Sequence, residues 1–288
     1  MKIQFCPNKD CKNNTEPTPL FYIKKGYYKT KHNHQPVPRY QCKGCNKKFS
    51  THTFSETYKQ KKPELNKQIF KLYASNMTQR RIAKVLGINK NTVPVKFMFL
   101  AEKARKIHNT KLSTGKINTS LVQFDEMETF EHTRMKPLSI ALAVKAKDGT
   151  IIDARVATMN AKGHLAAKSR EKYGWFTDTR HVACTQVAQS ILKCSGGWDV
   201  KVISDSKRAY PNLLKIDKRI TVEQVLSPKG KTRKGELNPM FWLNHICARI
   251  RLDLSRMGRK TWATTKKMDA LQTHLDLYIA WHNKYDLF

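Results

Sequence analysis

Two thiol pairs and a few acidic residues carry most of the chemistry this sequence offers. Cys6-x4-Cys11 and Cys42-x2-Cys45 are short-spaced pairs, each long enough for a tight knuckle. Four thiolates so arranged match a tetrahedral zinc site. Asp125 and Asp205 each stand at or near the end of a predicted strand, followed by polar residues. Carboxylates on neighbouring strands repel, and each raises the other's pKa unless a cation sits between them. Two such groups with an oxygen donor from a helix make a hard-oxygen site suited to Mg²⁺. In a two-metal site the ions lie roughly 3.5–4 Å apart and stabilise the attacking and leaving oxygens of phosphoryl transfer. Adjacent strand residues face opposite ways, so only one of Asp125 and Glu126 can share a pocket with Asp205. Alternation alone leaves that choice open.

The elements that must position these groups follow from periodicity. Residues 237–258 predict one helix, with Asn238 as N-cap, Pro239 in the first helical position and Gly258 in a left-handed C-terminal turn. Leu243, Cys247, Ile250, Leu254 and Met257 form its apolar stripe. Asn244 sits at the rim of that stripe, where an amide can face solvent or a buried polar site. Upstream, 121–127, 138–144 and 151–157 read as strands, the last two joined by Lys147-Asp148-Gly149, a strong hairpin turn. A helix over 181–193 precedes 200–205, an apolar run that predicts a strand buried on both faces. A closing helix over 266–282 buries Met268, Leu271, Leu275 and Tyr278. This is an α/β layered domain.

The front of the chain reads differently. Strand-like aromatic sequence between the cysteine pairs has room for a zinc ribbon, whose folding would draw on metal binding because so small a unit has little core. Helical pattern resumes at Pro63. Thr78 then caps a short helix carrying Ile82, Val85 and Leu86 inward, Gly87 turns the chain, and Asn89 or Asn91 opens a second helix running to about His108. That layout is a helix-turn-helix, whose second helix enters the major groove. Gln79, Arg80, Arg81 and Lys84 are candidates for phosphate contacts, and Lys90, Asn91, Thr92 and Lys96 for base edges. Pro94 fits only in the first turn of that helix. Residues 109–119 read as a linker. The expected organisation is a zinc ribbon (1–56), a helix-turn-helix domain with linker (57–115) and a catalytic domain (116–288).

The chain of 288 residues carries 55 Lys+Arg against 22 Asp+Glu, a formal charge of +33. That excess points to a polyanionic partner, and it is most concentrated in the front third. No apolar run has the length of a membrane span, and the N-terminus does not read as a signal peptide. A soluble, cytoplasmic, nucleoid-associated protein is expected, its paired cysteines holding metal in a reducing compartment.

Together, the cysteine pairs with Arg39-Tyr-Gln-Cys-Lys-Gly-Cys, the helix-turn-helix, Phe124-Asp-Glu, Ser204-Asp, Leu243-Asn-His and Leu254-Ser-Arg-Met-Gly-Arg-Lys-Thr resemble the smallest bacterial insertion-sequence transposases. The resemblance implies a ribonuclease H-like mixed-sheet domain with an Asp-Asp-Glu or Asp-Asp-Asn triad. It assigns Asp125, Asp205 and Asn244 as catalytic ligands of two Mg²⁺ ions, with Glu236 as a fallback, beside structural zinc. It implies a transposase that binds terminal inverted repeats in double-stranded DNA, cleaves at the element's ends and transfers strands, working as a homodimer or larger assembly. Arg251, Arg259 and Lys260, with Arg249, Arg256, Lys266 and Lys267, would hold phosphates, and Trp262 would wedge or stack. A catalytically inert DNA-binding regulator and a structure-selective nuclease on the same fold are the rival readings.

Overall fold

The computed structural model describes residues 3–30, 35–226, 238–258 and 262–288. The chain divides into two compact units, Met1–Asn66 and Lys67–Phe288. The first holds a short helix α1 (Lys12–Thr15) and an antiparallel sheet of β1 (Tyr22–Lys29), β2 (Pro36–Cys42) and β3 (Lys48–Ser50) in that order. The pairing register of β1 shifts between Lys24 and Tyr27, where Gly26 adopts φ +78°, a conformation that glycine takes without strain. Its core is small: Phe21 and Phe49 pack with Cys6, Cys11 and Cys42.

The second unit opens with α2 (Asn66–Ala74), α3 (Gln79–Val85) and α4 (Thr92–Ser113). The Thr78 hydroxyl accepts the Arg81 amide at 3.3 Å, Gly87 turns the chain at φ +58°, and Pro94 falls in the first turn of α4. Three expectations change here. Val85 is exposed rather than inward, leaving Ile82 and Ala83 to seal α3. Residues 109–113 continue α4 instead of forming a linker, because Leu112 extends the stripe of Phe97, Leu100, Ala104 and His108 and is buried like them. Lys96 also lies on that inward stripe, one turn after Val93.

The sheet that follows contains β4 (Leu121–Phe130), β5 (Pro137–Lys145), β6 (Ile151–Thr158), β7 (Val200–Asp205) and β8 (Ile220–Val225), ordered β6-β5-β4-β7-β8. β5 runs antiparallel to both β4 and β6, while β7 runs parallel to β4 and β8 parallel to β7. The protein is therefore a mixed α/β structure with a mixed five-stranded sheet. The β5–β6 turn places Gly149 at φ +72°, where a Cβ would meet the Trp242 ring at 2.8 Å. β7 is not buried on both faces: Val200, Val202 and Ser204 are buried, Lys201 is exposed and Ile203 half-buried.

Helices α5 (Leu165–Tyr173), α6 (Arg180–Cys194), α7 (Tyr210–Leu214), α8 (Phe241–Asp253) and α9 (Met268–His282) complete the unit. α8 starts three residues after Asn238, whose side chain instead accepts the Met240 amide in a turn, and it stops at Asp253, well before Gly258. Leu254 and Met257 remain buried beyond its end.

A buried charge network ties α4, α6, α9 and β6 together. Asp153, fully buried on β6, accepts Arg105 Nη1 at 2.9 Å, Arg155 Nε at 2.9 Å and Ser190 Oγ at 2.6 Å. Arg105 also pairs with Asp276 on α9. Burial alone would raise the Asp153 pKa, but the two guanidinium groups and the hydroxyl bring it down to about 2. Its contribution to stability is full above the unfolded value near 3.9 and is lost as pH falls through about 2.

Candidate metal-binding sites

In the first unit the sulfur atoms of Cys6, Cys11, Cys42 and Cys45 all lie within 4.8 Å of one another. Cys6 and Cys45 are 3.6 Å apart and Cys11 and Cys42 3.8 Å. A tetrahedron built on metal–sulfur bonds of about 2.3 Å has an edge of about 3.8 Å, so the thiols are spaced to hold a metal ion such as zinc. The knuckles explain the convergence. Asn46 N–H bonds Cys42 O at 3.0 Å, and Asn13 Nδ2 donates to Cys42 Sγ at 3.7 Å. A Cβ at Gly44, between Cys42 and Cys45, would meet the Asn13 Nδ2 at 2.8 Å, so a larger residue there would displace that amide from the cluster. The Lys47 amide holds the Cys45 thiol down at about 6, while burial pushes Cys6 up to about 12. A cation at the centre would favour the thiolate form of all four.

The second unit holds the acidic residues. β4 and β7 pair in parallel with Phe124 opposite Ser204, so the next residues along, Asp125 and Asp205, share one face of the sheet. Burial raises the Asp125 pKa, and the charges of Asp205 and Glu126 raise it further, against the Glu126 amide and the Tyr210 hydroxyl. The fit to a divalent cation rests on this crowding, which a positive charge relieves. Among the described residues, the four cysteines are the one group of three or more His, Cys, Asp or Glu ligands that converges, so no third carboxylate joins the pair.

Glu126 is committed elsewhere. Its carboxylate contacts Lys207 Nζ and accepts Ser139 Oγ at 2.7 Å. Burial works to raise its pKa, yet Lys207 and Ser139 leave it lowered. Tyr210, buried on α7, aims its hydroxyl at Asp125 Oδ1 (3.0 Å) and Glu126 Oε2 (3.2 Å), while Lys207 lies 4.7 Å over its ring. One hydroxyl proton serves one of those oxygens at a time. The Lys207 amide donates to Asp205 Oδ1 at 3.2 Å, closing the turn after β7.

Helix α8 is fastened to the same strand. Gln123, two residues before Asp125 and on its face, donates Nε2 to Pro239 O at 2.6 Å and accepts the Leu243 amide at 2.8 Å. One turn on, burial pushes the Cys247 thiol up to about 12, with the Asp125 charge adding to it. That edge of the helix faces β4 near Asp125. Asn244 is exposed on the turn before Cys247, with its amide N–H bonded to Met240 O at 3.0 Å. Glu236 lies outside the described residues. Gln123, Lys207 and Tyr210 were not singled out by sequence, although the first shares the alternation of Asp125 and the others follow Asp205 by two and five positions.

Of the basic residues, Arg80, Arg81, Lys84, Lys90 and Asn91 are exposed and Thr92 is half-buried at the start of α4. Gln79 turns toward α9, its amide 3.4 Å from the His274 ring nitrogen. Lys96 does not reach a base edge: at 3 % exposure it is packed beside Phe97 on the inward stripe of α4. Arg251 is half-buried, and Arg259 and Lys260 lie outside the described residues. Arg249 pairs with Asp253 at 3.2 Å, Arg256 buries its Nε and Nη1, and Trp262 is fully exposed.

No protein-family model matches the chain, and no characterised protein matches it in sequence. Six chains of solved structures match it. One belongs to a Mos1 transposase paired-end complex with left transposon end, at 12% identity and a TM-score of 0.33, over 75% of this chain and 70% of that one. Among the described residues, no helix is long and apolar enough to cross a membrane.

Proposed function

We propose that the protein is a transposase with a ribonuclease H-like catalytic domain, cleaving and joining DNA at the ends of a mobile element. The observation that carries this reading is the pairing of β4 with β7, which sets two carboxylates, without an ion pair among the described residues, side by side on one face of the sheet. The mixed five-stranded sheet and the charge of +33 support it. In this reading Asp125 and Asp205 hold Mg²⁺, and Asn244 on α8 supplies the third oxygen. Bound Mg²⁺ supplies charge at the attacking and leaving oxygens of phosphoryl transfer.

The chain's own residues do the positioning. Gln123 keeps α8 against the strand of Asp125, Tyr210 orients its carboxylate, and Lys207 withdraws Glu126 from cation binding. Arg80, Arg81, Lys84, Lys90, Asn91 and Thr92 bind the terminal inverted repeats, and Arg251, Arg259 and Lys260 the phosphates near the cleaved bond. Zinc on Cys6, Cys11, Cys42 and Cys45 cross-links the N-terminal ribbon. Two ends must be joined, so a homodimer or larger assembly works on DNA in the cytoplasm.

The exposure and neutrality of Asn244 favour a second reading, an inert DNA-binding regulator. Incubating the protein with the element's end DNA and Mg²⁺ or Mn²⁺ separates the two. Wild type should nick at the ends, and Asp205→Ala should lower the rate by at least about 10³-fold, as expected when preorganised charge stabilisation is lost. Cleavage that survives Asp205→Ala overturns the assignment, and binding without cleavage favours the regulator.

A further inference from the structure

α8 has a second lined edge. His245 and Arg249, a quarter-turn round the helix from Asn244, form one wall of an open cleft of about 520 Å³. The opposite wall comes from α2 and α9 with its following turn: Phe70, Trp281, His282 and Lys284. Two properties of this cleft select a ligand. Its floor is aromatic: Trp281 is 38% exposed and braced edge-on by Phe70, ring centres 5.6 Å apart at 76°. Its rim carries two basic side chains, Arg249, which is paired with Asp253, and exposed Lys284.

The lining carries one carboxylate, Asp253, and its charge is already met. It accepts Arg249 at 3.2 Å and the Tyr278 hydroxyl at 2.9 Å. Burial lowers the His282 pKa, and its Nε2 lies 3.1 Å from Gly149 O. His245 is held with its ring nearly parallel to Phe241, at 16° and 6.1 Å. The result is a planar apolar surface beside exposed Lys284 and the Arg249–Asp253 ion pair, with no free acid in the lining. An apolar ligand would strand the cations, and a bare phosphate would leave the indole face idle.

We propose that this cleft binds one nucleotide unit of single-stranded DNA, its base stacked on Trp281 and its phosphate drawn to Lys284 and Arg249. The volume suits one unstacked base with its sugar and phosphate, a conformation a duplex adopts only by local opening. This goes beyond the phosphoryl-transfer reading and does not depend on the acidic pair. The cleft lies on the side of α8 that carries His245 and Arg249.

The test uses the full-length protein with no added divalent ion and a single-stranded pentadeoxynucleotide carrying one 2-aminopurine, whose emission falls when its base stacks. Wild type should give saturable quenching. Trp281→Ala should weaken it about tenfold and Trp281→Phe should restore most of the loss, as expected for a base–aromatic stack. Lys284→Gln, at an exposed position where folding is not at stake, should weaken binding and reduce the salt slope by about one. Deoxyadenosine 5′-monophosphate should compete, and inorganic phosphate should compete far less well. Quenching unchanged in Trp281→Ala, or phosphate competing as well as the nucleotide, overturns the proposal. Because no cleavage is read, an inactive Asp125/Asp205 site would leave these outcomes intact.

Discussion

The four thiols and the two aspartates both gather like-charged ligands, and they do so on different terms. The cysteines sit on knuckles only four and two residues wide, so local chain geometry brings each pair together and a three-stranded sheet of little core joins the pairs. The aspartates meet only because β4 and β7 are neighbours in a sheet with its own large core, and the fold tolerates their repulsion. In the first case the ion is a structural member. In the second the structure stands without it and keeps electrostatic strain for a cation to relieve.

Replacing one thiol is the strongest test of that contrast. Cys42→Ser should lose bound zinc and unfold residues 3–66, since structural zinc contributes on the order of 10 kcal/mol to such units. Metal content by atomic absorption and protease sensitivity of the N-terminal unit would check it. A serine variant that keeps the fold without metal would break the comparison.

The carboxylates should respond with the opposite sign. The folded-state pKa of Asp125 is raised, so the stability this group contributes is full below its unfolded value and is lost as pH rises through the folded one. Without divalent ions, wild type should lose stability relative to Asp125→Asn as pH climbs above about 4, the unfolded value. Asp125→Asn should flatten that part of the profile, melt up to about 2 °C higher at pH 7, and no longer be stabilised by Mg²⁺. A variant that melts lower, with Mg²⁺ stabilisation intact, would place the cation elsewhere.

The smallest effect sharpens the picture. Tyr210→Phe removes a donor that favours the Asp125 carboxylate, so the pH midpoint for Mg²⁺ stabilisation should move upward by a fraction of a unit. Melting curves with and without Mg²⁺ between pH 5 and 8 would resolve it, and an unchanged midpoint would reduce Tyr210 to packing.

Much of this was legible in the residues themselves. Knuckle spacing is local, so the thiol cluster could be read without knowing the fold, and Lys147-Asp148-Gly149 announced its hairpin for the same reason. Strand alternation predicted that Asp125 and Glu126 would diverge, yet both carboxylates reach the Tyr210 hydroxyl, and what sets Glu126 apart is Lys207, eighty-one positions away. Lys96 was misread because charge suggests solvent, while its place on α4 was decided by the neighbours Val93 and Phe97. The true ends of α8 escaped too. Asn238 bonds to the turn rather than the helix, and Leu254 and Met257 continue the apolar pattern after the helix has stopped.

Gln123 donates its side-chain N–H to Pro239 O just before α8 and accepts a hydrogen bond from the Leu243 amide in the first turn of the helix. Neither an ionised carboxylate nor an ammonium can play both parts, whereas a carboxamide is donor and acceptor at once and gears strand to helix. A push on α8 from anything lodged beside it would reach Asp125, two residues along the strand, as a displacement rather than dissipate in a loose joint.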